Sequence, residues 1–216
     1  LPELEWNLDA DSPPFVWRML RACNWLQALE GDLDSSHLNI LHARADDPEA
    51  PPVPDARMPG TWSAGTKLLR GAGAPRIEAV DAPYGALASA RRPVDDGHEY
   101  HRVHPFLFPF HTMVGGGLDG GDTSFKGKAW VPMDDERTLV LEWQYRPGRP
   151  WTDDEREQLA RARNPWGYLP SDGSAAGALR PAAHAGNDYR LDRRLEGGTL
   201  ACGILSSPLQ DAAMQE

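Results

Sequence analysis

Two histidines and an aspartate lie close together in the sequence, in the order Asp34-x-x-His37-x-x-x-x-His42. Imidazole nitrogens and carboxylate oxygens are common ligands of transition-metal ions in proteins. In an ideal helix His42 would point about 140° away from His37, so both rings reach one ion only if the helix distorts or ends between them. The spacing alone therefore leaves two interpretations open, a metal site and a pair of hydrogen-bonded histidines.

A polar stripe continues this motif towards the N-terminus. At helical spacing its members share one face or lie just beside it; they are Asn24, Gln27, Glu30, Asp34 and His37. The segment contains no Lys or Arg, whereas a solvated helix face usually mixes both signs of charge. The stripe predicts the lining of a buried site, in which each polar group needs a partner.

A ferrous-iron site built on two histidines also needs a carboxylate, and it leaves coordination positions open for oxygen. The segment Gly203 to Asp211 places an acid in the first turn of a C-terminal helix, where the helix dipole favours an acid in any case. The sequence contains no His-Glu-x-x-His and no paired Cys-x-x-Cys motif. This disfavours a zinc peptidase and a structural zinc site.

The segment His98 to Val114 alternates like a strand and carries aromatic residues on one face. That face is predicted to hold Tyr100, Arg102, His104, Phe106, Phe108 and Phe110. It is either one wall of a pocket for an aromatic acid or the packed side of the sheet. Arg102 is the candidate for a carboxylate contact, because a guanidinium suits bidentate pairing, with a cross-strand ion pair as the alternative.

The elements that must position these residues follow from hydrophobic periodicity and turn signals. A helix is predicted from Phe15 to His42, followed by a long loop from Ala43 to Pro75 with a short strand near Trp62 to Leu69. The remaining predicted elements are one or two strands over Arg76–Arg91, a hairpin of Phe125–Val131 with Thr138–Tyr145, and a capping-box helix over Thr152–Arg163. Helix first, then strands, then helices indicates an α+β fold, an antiparallel sheet flanked by helices.

Composition restricts the class of protein. The chain has 216 residues and a net charge of −10, with no basic cluster to attract a phosphate backbone, which argues against nucleic-acid binding. No run of 18 apolar residues and no signal-peptide layout occur, which argues against membrane insertion and predicts a soluble, cytoplasmic protein. Two cysteines cannot form a disulfide framework.

The stretch Cys23 to His37, followed by Leu41-His42, resembles the catalytic-domain signature of Rieske non-haem iron aromatic ring-hydroxylating oxygenases. It is most similar to the phthalate 4,5-dioxygenase-like branch of their α subunits. Further matching segments follow in the same order: Arg102-Val103, Pro105-Phe106, Pro109-Phe110, Val131 to Glu136, Asn187-Asp188-Tyr189 with Asp192-Arg193, and Gln210-Asp211 with Ala213 to Glu216.

The resemblance implies a role for each matching residue. His37, His42 and Asp211 would bind a mononuclear Fe(II). Asp34 would be the catalytic carboxylate that bridges a ligand histidine to a Rieske-cluster histidine of the neighbouring subunit and serves the electron path. Asn24, Gln27 and Glu30 would belong to the surrounding polar shell, and the fold would be of the helix-grip (Bet v 1-like) type.

The resemblance also implies cofactors and partners. Electrons would come from NAD(P)H through a reductase or ferredoxin and a Rieske [2Fe–2S] cluster, and O2 would be used for cis-dihydroxylation or for O- or N-dealkylation of a small aromatic compound. The assembly would be a homotrimer or hexamer. The Rieske motifs Cys-x-His and Cys-x-x-His do not occur here. Residues 1–216 are therefore interpreted as the iron-binding catalytic domain of a longer polypeptide, with a C-terminal helix that stops early.

Two alternatives remain open from the residues. A non-enzymatic binder of hydrophobic ligands with the same architecture would explain the strands and aromatics but not the Asp34, His37 and His42 motif. A metal-dependent hydrolase would use the same ligands around zinc.

Overall fold

The computed structural model describes residues 3–42, 74–93, 97–114, 118–119, 122–174, 176–196 and 200–216. The strands are β1 (Phe15–Arg21), β2 (Arg76–Ala82), β3 (Gly85–Pro93), β4 (Glu99–Leu107), β5 (His111–Val114), β6 (Leu118–Asp119), β7 (Asp122–Thr123), β8 (Phe125–Pro132) and β9 (Thr138–Tyr145). The helices are α1 (Glu5–Leu8), α2 (Trp25–Leu33), α3 (Asp153–Arg163) and α4 (Ser207–Gln215), with 3₁₀ helices at His37–Asn39, Gly177–Leu179 and Ala185–Arg190.

Seven of these strands form one antiparallel sheet in the order β1-β9-β8-β5-β4-β3-β2, and β6 pairs with β7 separately. One surface of the large sheet, here called the inner face, is covered by helices. The cross-strand register places one row of side chains across this face: Trp17, Glu142, Lys128, Thr112 and Phe106. Helix α2 packs on β8 and β5, while α4 packs against α2 and α3.

Apolar side chains of the inner face form the core together with these helices. Met19 and Leu209 are fully buried in the cluster that joins β1 to α3 and α4. Trp130 and Val140 pack against Leu29 of α2 in a second cluster. On the opposite surface of the sheet, Trp6 of α1 stacks on Trp143. Within the described residues, no helix is both long and apolar enough to cross a lipid bilayer.

The predicted helix from Phe15 to His42 is correct only over Trp25–Leu33. Residues Phe15–Arg21 form strand β1, whose burial alternates residue by residue and whose backbone pairs with β9. The spacing of Trp17 and Leu20 also fits a helix, but the aromatic and β-branched start Phe-Val-Trp suits a pleated surface. Only Trp25–Leu33 is α-helical, and Asn24 caps it by accepting the N–H of Leu26.

The predicted strand His98–Val114 is two strands. Strand β4 ends at Leu107, and a turn of three residues leads into β5. Phe108 lies in that turn with 71% of its surface exposed, so the predicted alternation breaks at Phe108, whereas Phe110 packs against the same core cluster as Phe106. Pro109 cannot donate a ladder hydrogen bond, which is consistent with a break at this point.

The other predicted elements agree with the structure. Arg76–Arg91 is a pair of strands, β2 and β3, and β8 with β9 is the predicted hairpin. Helix α3 begins with the predicted capping box, and α4 occupies the predicted C-terminal helix, but α4 begins at Ser207, so Asp211 lies in its second turn and not in its first as predicted. The α+β class with an antiparallel sheet flanked by helices is confirmed. The predicted strand near Trp62 to Leu69 and most of the predicted loop before Pro75 lie outside the described residues.

Glu155 ties the start of α3 to the end of β9. Its carboxylate accepts the N–H of Thr152 at 2.9 Å, Nη2 of Arg146 at 2.9 Å and Nη2 of Arg149 at 2.8 Å. Burial raises the pKa of this carboxyl group, but these donors outweigh burial and lower the pKa to about 2.

We predict that Glu155→Gln lowers the free energy of unfolding by about 1 kcal/mol at pH 7, because a helix cap and its ion pairs are weakened. The pKa of Glu155 lies below its ordinary value of 4.5, so its contribution is complete above pH 4.5 and declines as the pH falls towards 2. Urea unfolding of parent and variant at neutral and acidic pH measures this.

Glu157→Gln is the matched control, since Glu157 pairs with Arg161 on the exposed side of the same helix. It should change the free energy of unfolding by less than about 0.5 kcal/mol at either pH. A Glu155→Gln effect that stays constant with pH would contradict the predicted role of the carboxylate.

Candidate metal centre

The chain folds back on itself between Asp34 and His42. Asp34 ends α2 by donating its backbone N–H to the carbonyl of Glu30 at 2.8 Å. Its carboxylate then accepts the backbone N–H of Ser36 at 2.8 Å and the Ser36 hydroxyl at 2.5 Å, which starts a tight turn. The carbonyl of His37 accepts the N–H groups of Ile40 and Leu41, closing the 3₁₀ turn that follows.

This turn brings the two imidazoles together. Their ring centroids lie 5.0 Å apart with the planes at 78°. A continuous helix would have directed the two rings apart. Because α2 ends at Leu33, before His37, both rings can approach one point. Helix α4 supplies the third residue, Asp211.

Three ligand atoms converge at this point. Oδ1 of Asp211 lies 3.0 Å from Nε2 of His42 and 3.7 Å from Nε2 of His37, and all three ligand atoms lie within 4.8 Å of one another. Ligands at right angles around an ion, each about 2.1 Å from it, are about 3 Å apart. Two imidazoles and a carboxylate are also the donor set of non-haem ferrous-iron sites, so these residues fit the predicted ion.

The protonation states of Asp211 and His37 favour binding of a cation. Burial raises the pKa of Asp211, but the hydrogen bond from His42 and the positive charges of Arg21 and Lys128 lower it to about 2. Burial lowers the pKa of His37, and this outweighs the attraction to Asp211. An ionised carboxylate and a neutral imidazole are the forms that bind a metal ion.

His42 differs from His37 in its surroundings. Burial lowers its pKa, but the Asp211 carboxylate and the side chain of Gln210 more than compensate, so the pKa is raised above its ordinary value. Nδ1 of His42 lies 2.5 Å from Oε1 of Gln210. Sequence reasoning gave Gln210 no role, although the pair Gln210-Asp211 is part of the family resemblance.

Asp34 lies at the open side of the centre. Its Oδ2 is 3.6 Å from Nδ1 of His37, and 43% of the Asp34 side chain is exposed. Burial raises the pKa of Asp34, but the Ser36 hydroxyl and N–H outweigh it, so the pKa is lowered and the group is a carboxylate at neutral pH. A carboxylate beside the non-ligating nitrogen of a histidine favours the ring tautomer that leaves Nε2 free.

A buried ion pair anchors the end of α2 directly before this turn. Lys128 Nζ contacts Oδ1 of Asp32 at 2.6 Å, and the Thr112 hydroxyl donates to the other carboxylate oxygen at 2.6 Å. Trp130 Nε1 donates to the same hydroxyl. The sequence analysis did not predict this ion pair. The only indication in the sequence was that Lys126 and Lys128, two residues apart on β8, must lie on the same face of the sheet.

The residues predicted to form a polar shell, Asn24, Gln27 and Glu30, do not surround the candidate metal centre. Asn24 caps α2 and donates its amide to the carbonyl of Asp135. Gln27 and Glu30 are exposed on α2. The prediction that they line a buried site is therefore wrong for these two residues, because α2 turns them towards solvent while Ala28 and Leu29 face the sheet.

The four predicted substrate residues lie in two different settings. Arg102 and His104 are on the inner face of β4, opposite Ala90 and Ala88 of β3. Phe106 and Phe110 pack against the core cluster beneath α2, as expected for residues that fill the core.

Arg102 and His104 carry unsatisfied polar atoms. His104 is 2% exposed, and neither of its ring nitrogens has a hydrogen-bond partner among the described residues; Nε of Arg102 is buried without one as well. Burial and the charge of Arg102 lower the pKa of His104 to about 4, which the nearby Asp32 offsets only in part. Buried polar groups in native proteins are normally paired, so this spot suits a polar ligand group.

Sequence relatives support the resemblance found from the motifs. The chain is 29% identical, over its whole length and 49% of the relative, to the 3-chlorobenzoate-3,4-dioxygenase oxygenase subunit of Comamonas testosteroni. It is 29% identical to the phthalate 4,5-dioxygenase oxygenase subunit of Pseudomonas putida, over 89% of this chain and 41% of the relative. The chain thus spans about half the length of these curated relatives or less.

Two solved structures are similar in part. Dicamba monooxygenase bound to 3,6-dichlorosalicylic acid matches 74% of this chain and 47% of its own, with a TM-score of 0.48 and 10% identity. The terminal oxygenase of carbazole 1,9a-dioxygenase from Nocardioides aromaticivorans IC177 matches 74% of this chain and 44% of its own, with a TM-score of 0.40 and 14% identity.

The family comparison covers almost the entire sequence. The model described as "LigXa C-terminal domain like" matches residues 3–216, which include every residue of the candidate metal centre. The chain therefore belongs to the LigXa C-terminal domain family.

Proposed function

We propose that this chain is the iron-binding catalytic domain of a Rieske-type oxygenase that acts on an aromatic carboxylate. The observation that carries the proposal is the convergence of His37, His42 and Asp211, whose ligand atoms lie within 4.8 Å of one another. Ferrous iron held there would supply the redox chemistry that activates O2 for hydroxylation or for O- or N-dealkylation, with electrons from NAD(P)H through a reductase or ferredoxin and a Rieske [2Fe–2S] cluster. The names of both curated relatives support an oxygenase.

The residues of the chain contribute positioning and charge. The ionised Asp211 and the imidazoles of His37 and His42 approach from two different segments, which fixes three directions around one point. Asp34 holds the Nδ1 side of His37 and keeps the ring directed at Asp211. Its half-exposed carboxylate also suits the contact that the resemblance implies, with a Rieske-cluster histidine of a neighbouring subunit in a homotrimer or hexamer.

Arg102 and His104 are proposed to bind the carboxylate of the substrate. Arg92, next to Arg102 on the inner face, donates to the carbonyl of Ser35 at 2.6 Å, which ties this part of the sheet to the turn that carries Asp34 and His37. A guanidinium pairs well with a carboxylate, and a neutral His104 can donate one further hydrogen bond. Both 3-chlorobenzoate and phthalate, the compounds in the relatives' names, carry such a group. Phe106 and Phe110 are proposed to contact the aromatic ring.

The iron site is tested by anaerobic Fe(II) loading of the full-length subunit. We expect the parent to give the high-spin paramagnetic resonance signal of an iron–nitric oxide adduct. His37→Ala and Asp211→Ala should each weaken iron binding by at least about 100-fold, more than the loss of an outer-shell partner, because each removes a direct ligand.

His101→Ala is the matched control, since His101 lies on the other face of β4 and is half-exposed. It should leave the signal intact. No iron signal in the parent, or one indifferent to both ligand changes, would overturn the proposal in favour of a hydrophobic-ligand binder. Binding of zinc but not iron would favour a hydrolase.

The substrate contact is tested by calorimetric titration of the iron-loaded protein with 3-chlorobenzoate and with the neutral 3-chlorobenzamide. Arg102→Gln should weaken 3-chlorobenzoate binding by about 10- to 100-fold, because a hydrogen-bonded ion pair is lost, and should affect the amide far less. Arg91→Gln is the control, since Arg91 pairs with Glu78 and Glu99 on the outer face. Equal weakening of both ligands would show that Arg102 acts only through packing.

A further inference from the structure

The side chain of Gln210 is fixed at both ends. It is 3% exposed, and its Nε2 donates to the carbonyl of Ile204 at 2.6 Å. Its Oε1 faces Nδ1 of His42 at 2.5 Å. A reversed amide would put two acceptor oxygens together at Ile204, so the orientation of the amide follows from the hydrogen bonds.

This orientation determines the tautomer of His42. A carbonyl oxygen only accepts hydrogen bonds, so Nδ1 of His42 must carry a proton to contact Oε1 of Gln210. In the metal-free protein Nε2 donates to Oδ1 of Asp211 at 3.0 Å, and a metal ion would displace that proton, so the lone pair that becomes available is on Nε2. The ring can bind a metal ion only through the nitrogen that faces the other two ligands.

We propose that Gln210 is the positioning residue that holds His42 in the Nδ1–H tautomer with Nε2 directed at the metal. The inference rests on the proposed metal site. Gln210 and Asp211 are consecutive residues of α4, so one helix turn supplies both a ligand and the group that orients a second ligand. The backbone N–H of Gln210 donates to the carbonyl of Ser206 at 2.8 Å, which holds this turn in place.

The two histidines are therefore oriented by different chemistry. His37 has a half-exposed carboxylate, Asp34, near Nδ1, whereas His42 has a buried neutral amide. A neutral amide orients the ring without adding a negative charge beside it. The positioning of His42 therefore uses groups in the buried interior of this domain.

The test is nuclear magnetic resonance of ¹⁵N-labelled histidine in the parent, Gln210→Met, Gln210→Glu and Gln215→Met, each metal-free and loaded with diamagnetic Zn(II). We expect a slowly exchanging Nδ1–H resonance of His42 in the parent and, on loading, a metal-shifted Nε2. Gln210→Met should lose the slow exchange and bind Zn(II) about 10- to 100-fold more weakly. Gln210→Glu, which keeps an acceptor oxygen at Nδ1 and in its protonated form also donates to the carbonyl of Ile204, should retain the Nδ1–H resonance.

Gln215→Met is the matched control. Gln215 lies in the same helix, donates its amide to the backbone carbonyls of Gln27 and Ala28, and accepts from Arg21, and none of these contacts is with His42. It should leave the His42 resonance and Zn(II) affinity unchanged. A Gln210→Met protein with the parent's Nδ1–H resonance and affinity, or a parent that is protonated on Nε2 and binds through Nδ1, would overturn the inference.

The two proposals fail in distinguishable ways. If the parent binds no Zn(II) at the histidines, the metal site fails, and the metal-free spectra still decide the role of Gln210. Loss of the Nδ1–H resonance in Gln210→Met with retention in Gln210→Glu then supports the inference, and its persistence in Gln210→Met overturns it.

Discussion

Two opposite charges lie side by side in the interior of this domain, and the positions of the helices depend on them. Lys128 and Glu142 are direct cross-strand neighbours on the inner face of the sheet. Each also pairs with a helix: Lys128 with Asp32 of α2 at 2.6 Å, and Glu142 with Arg163 of α3 at 2.6 Å. Replacing such pairs by apolar residues is often neutral, but an unpaired buried charge costs about 3–5 kcal/mol. The pairs therefore fix where the two helices dock.

The metal centre follows from these two anchors. Asp32 is two residues before Asp34, so the ion pair with Lys128 holds the end of α2 at the point where the chain turns towards His37. Arg163 ends α3, and its backbone carbonyl accepts the hydroxyl of Ser206, the residue that precedes α4. The position of Asp211 in α4 therefore also depends on the β8–β9 pair, because Glu142 of β9 binds Arg163 and Arg163 binds Ser206. The sheet brings together ligands that are more than 150 residues apart in the sequence.

The sequence was sufficient to predict candidate ligands but not the residues that support them. The spacing of His37 and His42, together with the family resemblance, predicted a set of residues that the fold brings together, and the alternation of Arg102 and His104 predicted both on one face of β4, which runs unbroken to Leu107. The helix over Phe15–His42 was mispredicted because aromatic residues at that spacing satisfy both periodicities. The pair of Asp32 and Lys128 joins residues 96 positions apart, and a spacing pattern cannot show which acid meets which base across the core.

The solvent exposure of the side chains increases from one end of the candidate metal centre to the other, and the two ends have different surroundings. The exposed side-chain fraction rises from 11% for His42 through 21% for His37 to 43% for Asp34. Among the described residues, the buried end contacts Gln210 of the same domain, and the open end presents the Asp34 carboxylate to solvent. In the proposed metal site, electrons from outside the domain would arrive at such an open end, whereas a stable ligand geometry needs the buried one. The fold meets both requirements by taking His42 and its partner from the interior and leaving Asp34 at the edge of the helix layer.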